Sequence, residues 1–545
     1  MQAQRHRGTE AQRHRGTDSQ IFAVLLALCI GTFLLCPGVL WAGQPSLTEM
    51  VERGEAALER WEMAEARQWV KKIEAFTPLP AEAEFFRSRV WFYQGEYDRA
   101  VETIGRAVTL DPDNEMYQGY QGFFTNTRLA TQGLESVQSE HFTLLIDREK
   151  DGILIPYALE ALEQAYQVFG KQFGFTPRER VRVEIFPDPE RFYHASSLSR
   201  RDIEVSGAIG ICKFNKIMLL SPRTLLRGYR WLDALTHEYM HYVMVHLTNN
   251  KAPIWLHEGV AKYQEYLWRS PRSLYLNPVN ETLLANALRE NDFVSFAQMD
   301  PSLVKLDTTH QVRLAYAEAA SAIDFILQRV GYPGLQRILQ HIAQAEEQGA
   351  QQAIQEELRL DFAAFERQWK AFLRQQNLQE IPGVYLEKYT LKDRVKDEEE
   401  WGLQEIRSQV VRNHVRLGDL FRSRGRLVPA VLEYKKALRK SHPSPFLYNK
   451  LGKALLLRGR YAEALTYLEK AKTLYPDYVT TYTNLGILFL QQKRLAEAEE
   501  AFTEAIQINP FDPQVHQGLY QIYLLRGERE KAAQAEKTVQ TLLMR

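Results

Sequence analysis

His237-Glu238-Tyr239-Met240-His241 stands inside a helical pattern from Trp231 to Leu247, with apolar Leu235, Val243 and Val245 on the other positions. Residues four apart on a helix differ by about 40° around its axis, so both imidazoles face one side and can hold one cation. Neutral imidazole suits zinc. Glu238 projects to a neighbouring position, where it can take a proton from water without ligating the metal. Two ligands do not make a catalytic zinc site. A third is available in Trp255-Leu256-His257-Glu258-Gly259-Val260-Ala261-Lys262-Tyr263-Gln264-Glu265, a second helical stretch in which Glu258 supplies an oxygen. His257 projects about 100° away from Glu258 and reads as a packing or hydrogen-bonding residue.

Around these helices the sequence is mixed. His141 to Ile146 and Val181 to Phe186 alternate or run apolar like strands, Ile217 to Leu220 ends a third, and helical patterns occupy 155–173, 230–248 and 311–330. Residues 138–385 therefore read as an α+β domain, closed by Phe362, Phe365, Trp369 and Phe372 at helical spacing. Cys212 reads as a buried small hydrophobe. His141, His194, His246, His310 and His341 have no motif context and read as structural or exposed.

Toward the carboxyl end a 34-residue period governs the chain. Gly418, Gly452 and Gly486 recur at that interval, as do Gly425 and Gly459, then Gly527, and Ala430, Ala464, Ala498 and Ala532. The spacing resembles the tetratricopeptide repeat, a helix-turn-helix unit whose small residues let two helices approach closely. Each helix pair leaves one apolar face open, and stacking covers it. Four units fill 411–545. Gly95, Tyr97, Ala100, Ala107 and Pro112 fit the same register for a unit from Ala81, a weaker one starts at Leu47, and 115–131 suits a capping helix, so 44–131 is expected to be repeat-like. Residues 386–410 read as a linker.

The two-helix metal pattern resembles the gluzincin metallopeptidases, and the segment from Trp255 looks like the Trp-Leu-Asn-Glu-Gly-x-Ala-x-Tyr-x-Glu helix of aminopeptidase-N-like enzymes. It is closer still to the peptidase MA-like domain. The resemblance implies a mainly α chain with an α+β, zincin-like domain between two tetratricopeptide arrays. It implies Zn2+ on His237, His241 and Glu258, with Glu238 as general base and Glu265 orienting a ligand histidine from the next shell out. It further suggests that Tyr316, in Ala315-Tyr316-Ala317-Glu318, donates to the oxyanion, against the plainer reading as a core tyrosine. The interval from His241 to Glu258 holds 16 residues, shorter than is usual in the aminopeptidases. Gly207-Ala208-Ile209-Gly210 also lacks the glutamate that binds a substrate's free amine there, which favours cleavage inside a chain.

Composition limits the rest. The chain has 545 residues with 68 Lys+Arg against 68 Asp+Glu, and no basic block suggests a nucleic-acid partner. Of its 3 cysteines, Cys29 and Cys36 lie in the uncharged stretch Ile21 to Gly43, so a disulfide scaffold is excluded. That stretch follows Arg5, Arg7, Arg13 and Arg15, the order of a secretory signal, and residues 21–42 are about long enough for an uncleaved membrane anchor. The expectation is an exported zinc endopeptidase, periplasmic or extracellular, with protein or peptide substrates and with protein partners on its repeats. The rival is a repeat scaffold for envelope complexes carrying a non-catalytic zincin domain. Tyr448, Asn449, Tyr482 and Asn484 are expected to be exposed on the concave face of the carboxyl array. Truncation near residue 405 is expected to leave cleavage of a short peptide within about threefold of the intact chain.

Overall fold

The computed structural model describes residues 45–345, 349–384, 389–392 and 398–544. The secretory-signal and anchor readings of 1–43 lie outside them, as do 385–388 and 393–397 of the linker region. Among the described residues no helix is long and apolar enough to cross a membrane. The fold is mainly helical around one small mixed sheet.

At the amino end Leu47–Glu59 packs with Met63–Ile73 and Ala81–Tyr93 with Tyr97–Leu110, and Glu115–Thr131 covers the second pair. The sheet follows, with β1 (Glu135–Gln138), β2 (Phe142–Ile146), β3 (Val181–Phe186), β4 (Gly210–Lys213) and β5 (Lys216–Leu220) in the order β1-β2-β3-β5-β4. The central three are parallel and the outer two antiparallel. Every residue of β5 is buried, as continuous apolar runs in covered parallel strands predict. Lys216, at its start, is the polar exception. Its Nζ donates to the Tyr97 hydroxyl at 2.6 Å, Tyr97 donates to Glu184, and Arg182 Nε donates to the same carboxylate at 2.6 Å. This buried chain of donors joins the amino-terminal helices to β3 and β5, with each charge partnered.

The long helix Ile155–Phe173 and the histidine helix Trp231–Thr248 pack together beside the sheet. The latter is buried nearly all round, so its neighbours and not an amphipathic stripe fix its rotation. The glutamate helix Ile254–Gln264 turns back across it, its first free N–H bonded by Asp300 Oδ1 at 3.0 Å. Thr236 Oγ1 donates to Glu265 O at 2.9 Å, pinning the two helices at the level of the metal pattern. On its other side the glutamate helix presses against Thr309–Gln344, a long helix broken at Gly331, where φ is 62°. Contact is backbone to backbone. A Cβ added at Gly259 would lie 2.6 Å from Ala319 O, so only glycine permits this approach. Phe365, Trp369 and Phe372 are buried on Phe362–Gln375, and Phe365 stacks near Trp255 and Phe296 to close this end of the domain.

Four helix pairs form the carboxyl region: Gln409–Ser423 with Leu427–Arg439, Pro445–Leu457 with Tyr461–Leu474, Val479–Gln491 with Leu495–Ile508, and Pro513–Arg526 with Arg529–Leu543. The periodic glycines do what their spacing implies. Cβ atoms at Gly418, Gly452 and Gly486 would run into Tyr434, Leu468 and Phe502 of the paired helix. Gly425, Gly459 and Gly527 turn the chain with φ of 69°, 71° and 75°, and Lys493 takes the same left-handed turn in the third unit with φ of 60°.

The contacts of the linker region and of the array correct two expectations. The linker region is no free tether, since Leu226 N and Lys392 N donate to Thr390 O and Thr224 O, and helix Glu398–Gln404 lies in the array's groove with Gly402 against Phe446. The residues expected on the groove surface are not exposed. Asn449 and Asn484 are buried and bonded to each other, Tyr482 is buried with its hydroxyl on Pro476 O, and Tyr448 is half-buried against Tyr467. Truncation near 405 would also strip cover from the histidine helix, because Trp231 Nε1 donates to Ile506 O at 2.9 Å and Tyr229 N to Ile508 O at 3.0 Å. Retained short-peptide cleavage is therefore not expected of that fragment.

Two measurements test this packing. Gly259→Ala should lower stability by about 1–3 kcal/mol in chemical denaturation, through overpacking against Ala319. Burial, opposed by Glu184, pushes the Lys216 ammonium down from 10.5 to about 7. Between those values the unfolded chain holds a proton that the folded chain lacks, so this group makes stability rise with pH across that window. Lys216→Met should remove that rise, so the stability of wild type measured relative to the variant should increase from pH 7 toward pH 10.

Candidate metal centre

The two helices bring three ligand atoms to one point. His237 Nε2 lies 3.1 Å from His241 Nε2, and Glu258 Oε2 lies 3.4 Å and 3.2 Å from these two nitrogens. An ion with tetrahedral bonds of about 2.0–2.1 Å sets its ligand atoms about 3.3 Å apart, so this near-equilateral triangle is one face of such a tetrahedron. The donor set fits zinc: two imidazoles and a carboxylate with the fourth corner open. Among the described residues this is the group of three or more metal-ligating side chains that converges in this way. Glu258 Oε2 is buried without a hydrogen bond of good geometry, as a metal-directed oxygen should be.

Charge in the cluster favours deprotonated carboxylates and a proton-hungry histidine. Burial works against ionisation of Glu258, but His241 and His237 outweigh it and hold the carboxyl well below its usual range. Burial likewise opposes the His237 cation, yet Glu258, Glu265 and Glu238 raise its pKa to about 10. A divalent ion at the triangle replaces that proton as the positive charge among the carboxylates.

The other nitrogen of each histidine is also held. His237 Nδ1 lies 3.3 Å from Glu265 Oε2, whose Oε1 accepts from Lys262 Nζ at 2.6 Å. His241 Nδ1 lies 2.6 Å from Nδ1 of His257, the two rings stacked with centroids 4.7 Å apart. Burial and the neighbouring His241 push His257 down to about 3, so it stays neutral. With His241 Nε2 turned to the triangle, its Nδ1–H donates and His257 Nδ1 accepts, which leaves the proton of His257 on Nε2. Helical spacing read His257 only relative to Glu258. What it could not supply was the crossing of the second helix, which sets His257 against His241.

Glu238 is buried beside the triangle, its Oε2 without a hydrogen-bond partner. Burial raises its pKa, Glu258 adds to the rise, and His241, His237 and the Cys212 backbone N–H oppose it. The carboxylate reaches the sheet edge where β4 begins. A Cβ at Gly210 would lie 2.8 Å from Glu238 Oε1, so the glycine clears its place. Cys212 sits half-buried on that strand, packed against the main core, and burial raises its thiol pKa. Tyr316 stands on the broken helix with its ring centroid 6.4 Å from that of His237, and burial raises its pKa well above 10. His141 is taken up by Glu163 at 2.6 Å and His341 by Glu356 at 3.0 Å, both away from this cluster.

Comparison with known proteins agrees with these parts. The Peptidase MA superfamily pattern matches residues 161–375, and a tetratricopeptide repeat pattern matches 445–510. The type IV pilus assembly protein PilF of Pseudomonas aeruginosa is 37% identical over 100 residues, which is 18% of this chain and 39% of that protein. The protein O-mannosyl-transferase Tmtc3 of Drosophila melanogaster is 39% identical over 64 residues, 12% of this chain and 7% of that one. The chain thus spans less than half the length of these curated relatives. A solved structure of Pseudomonas aeruginosa PilF is matched at 29% identity over 24% of this chain and 59% of that one, with a TM-score of 0.23. Residues 161–375 belong to the Peptidase MA superfamily, and tetratricopeptide repeats make up the C-terminal region of the same chain.

Proposed function

We propose that this protein is an exported zinc-dependent metallopeptidase, an endopeptidase whose repeats engage protein substrates or partners. The observation that carries the reading is the triangle of His237 Nε2, His241 Nε2 and Glu258 Oε2, with the unpartnered Oε2 of Glu238 buried beside it. Zinc held at that triangle supplies Lewis acidity sufficient to bring the pKa of a water molecule to about 7.

The chain's own groups do the remainder. Glu238 accepts the proton of the attacking water and returns it to the departing amine, a task suited to a carboxylate whose pKa lies above its usual range. Glu265 and His257 hold the two ligand imidazoles in orientation. Tyr316 keeps its proton and so remains a donor for the oxyanion that develops beside His237. β4 ends the sheet and passes beside Glu238, so a substrate strand added at its outer edge brings a peptide carbonyl toward the base. Gly207 to Gly210 offer no carboxylate for a terminal amine, which supports internal cleavage. Export rests on the apolar stretch Ile21 to Gly43 behind its arginines.

Purified protein should carry about one zinc per chain by elemental analysis, and the His237→Ala/His241→Ala double variant should carry none; full retention would remove the ligand assignment. Glu238→Gln should fold and hold zinc yet lose cleavage of labelled casein, since the amide cannot act as a base. Equal cleavage by this variant would return the chain to the scaffold reading. Tyr316→Phe should keep zinc and slow turnover about a hundredfold, and an unchanged rate would make Tyr316 a packing residue.

A further inference from the structure

Among the contacts of the C-terminal array with the metal-binding helices is one carboxylate shared by arginines flanking both. Arg230 immediately precedes the histidine helix, and Arg269 follows Glu265 by four residues at the far end of the glutamate helix. Glu504, on repeat helix Leu495–Ile508, accepts from both: Oε2 from Arg230 Nη1 at 2.7 Å and Oε1 from Arg269 Nη1 at 3.0 Å. Arg269 also forks onto Asp233, with Nε to Oδ1 at 2.8 Å and Nη2 to Oδ2 at 2.7 Å. Asp233 lies one helical turn before His237 and on the same face, since they are four residues apart. Arg230 is fixed further by Asp477 Oδ1 at 2.6 Å, Pro476 O at 3.1 Å and the Tyr482 hydroxyl at 3.1 Å, all from the array.

The two arginines reach Glu504 from the entry of the histidine helix and from the turn that follows the glutamate helix, the two helices that together carry all three ligands. Without its charge their guanidinium groups would face each other across a mostly desolvated junction, with Asp233 and Asp477 left to balance them. The same junction buries Trp231, and a Cβ at Gly228 would lie 2.4 Å from Ile508 O, so the entry to the histidine helix is moulded on the array.

We infer that the repeat array is a working part of the metal site: Glu504 is a positioning residue that fixes the crossing of the histidine and glutamate helices through Arg230 and Arg269. The inference rests on the metallopeptidase reading. It assigns the third repeat a role in the chemistry beyond the recruitment of partners, because the ligand triangle is only as regular as the crossing of its two helices. The effect is transmitted through guanidinium groups and not through contact with substrate.

The test uses the full chain and compares Glu504→Gln with Glu497→Gln, a residue of the same helix that pairs with Arg494 at the surface. Zinc affinity is read by competition with a chromophoric chelator, and ligand geometry by the visible spectrum of the cobalt-substituted protein. Glu504→Gln should bind zinc about tenfold more weakly and alter the cobalt spectrum, as changes just outside a ligand shell do. Glu504→Asp should recover to within about threefold, and Glu497→Gln should match wild type. Should Glu504→Gln fail to fold, Arg269→Lys keeps the charge without the fork geometry and should weaken zinc about fivefold. Wild-type zinc affinity and spectrum in these variants would overturn the positioning role. Absence of zinc binding by the wild type would instead overturn the metallopeptidase reading on which it rests.

Discussion

A chelate shared between two helices depends on their crossing, because a shift of a few tenths of an ångström at the crossing is a shift of the same size between ligand atoms. His237 and His241 come with one helix and are spaced by its geometry alone, but Glu258 arrives with another. Three contacts fix where it arrives: the backbone approach at Gly259 and Ala319, the Thr236 to Glu265 hydrogen bond, and Arg269 held between Asp233 and Glu504 of the array. Each draws on a different part of the molecule. The long broken helix, the end of the glutamate helix and the repeat array are thereby all committed to one triangle of atoms.

The parts of the site that are local were readable from the sequence. The two histidines and Glu238 follow from helical periodicity, and the periodic glycines announce helix pairs because their absent side chains are needed at fixed intervals. What depends on chain crossings was hidden. His257 faces His241 only because the second helix turns back over the first, and Arg230 looks like an ordinary helix-leading arginine until the third repeat supplies Glu504 and Asp477. The burial of Asn449 and Asn484 has a related cause: their side chains bond each other and Thr481 across adjoining repeats, a pairing that depends on how the repeats stack. Strands β2, β3 and β5 had apolar runs to mark them, whereas β1 (Glu135-Ser136-Val137-Gln138) is mostly exposed and carries no such run.

The array and the Peptidase MA superfamily domain are matched by separate stretches of sequence, and as patterns they are separable. Physically they are not. Arg227 meets Glu405 at 3.1 Å and stacks over Tyr478, Arg230 is enclosed by array residues, and the strand-like segment 389–392 is paired to Thr224 to Leu226. The residues that lead into the histidine helix thus form part of two interfaces at once. Change in either is felt at the start of the helix that carries His237, Glu238 and His241.

The helix Glu398–Gln404 sets a condition on the groove it lies against. Glu399 lies 3.0 Å from Lys450 Nζ and 3.6 Å from Arg422 Nη2, and Glu398 accepts from Thr480 at 3.4 Å, so an acidic segment already rests in the groove. Whatever else enters that groove has first to replace the ion pairs that Glu399 makes with Lys450 and Arg422, so a second occupant gains only the surplus of its own contacts over those already made.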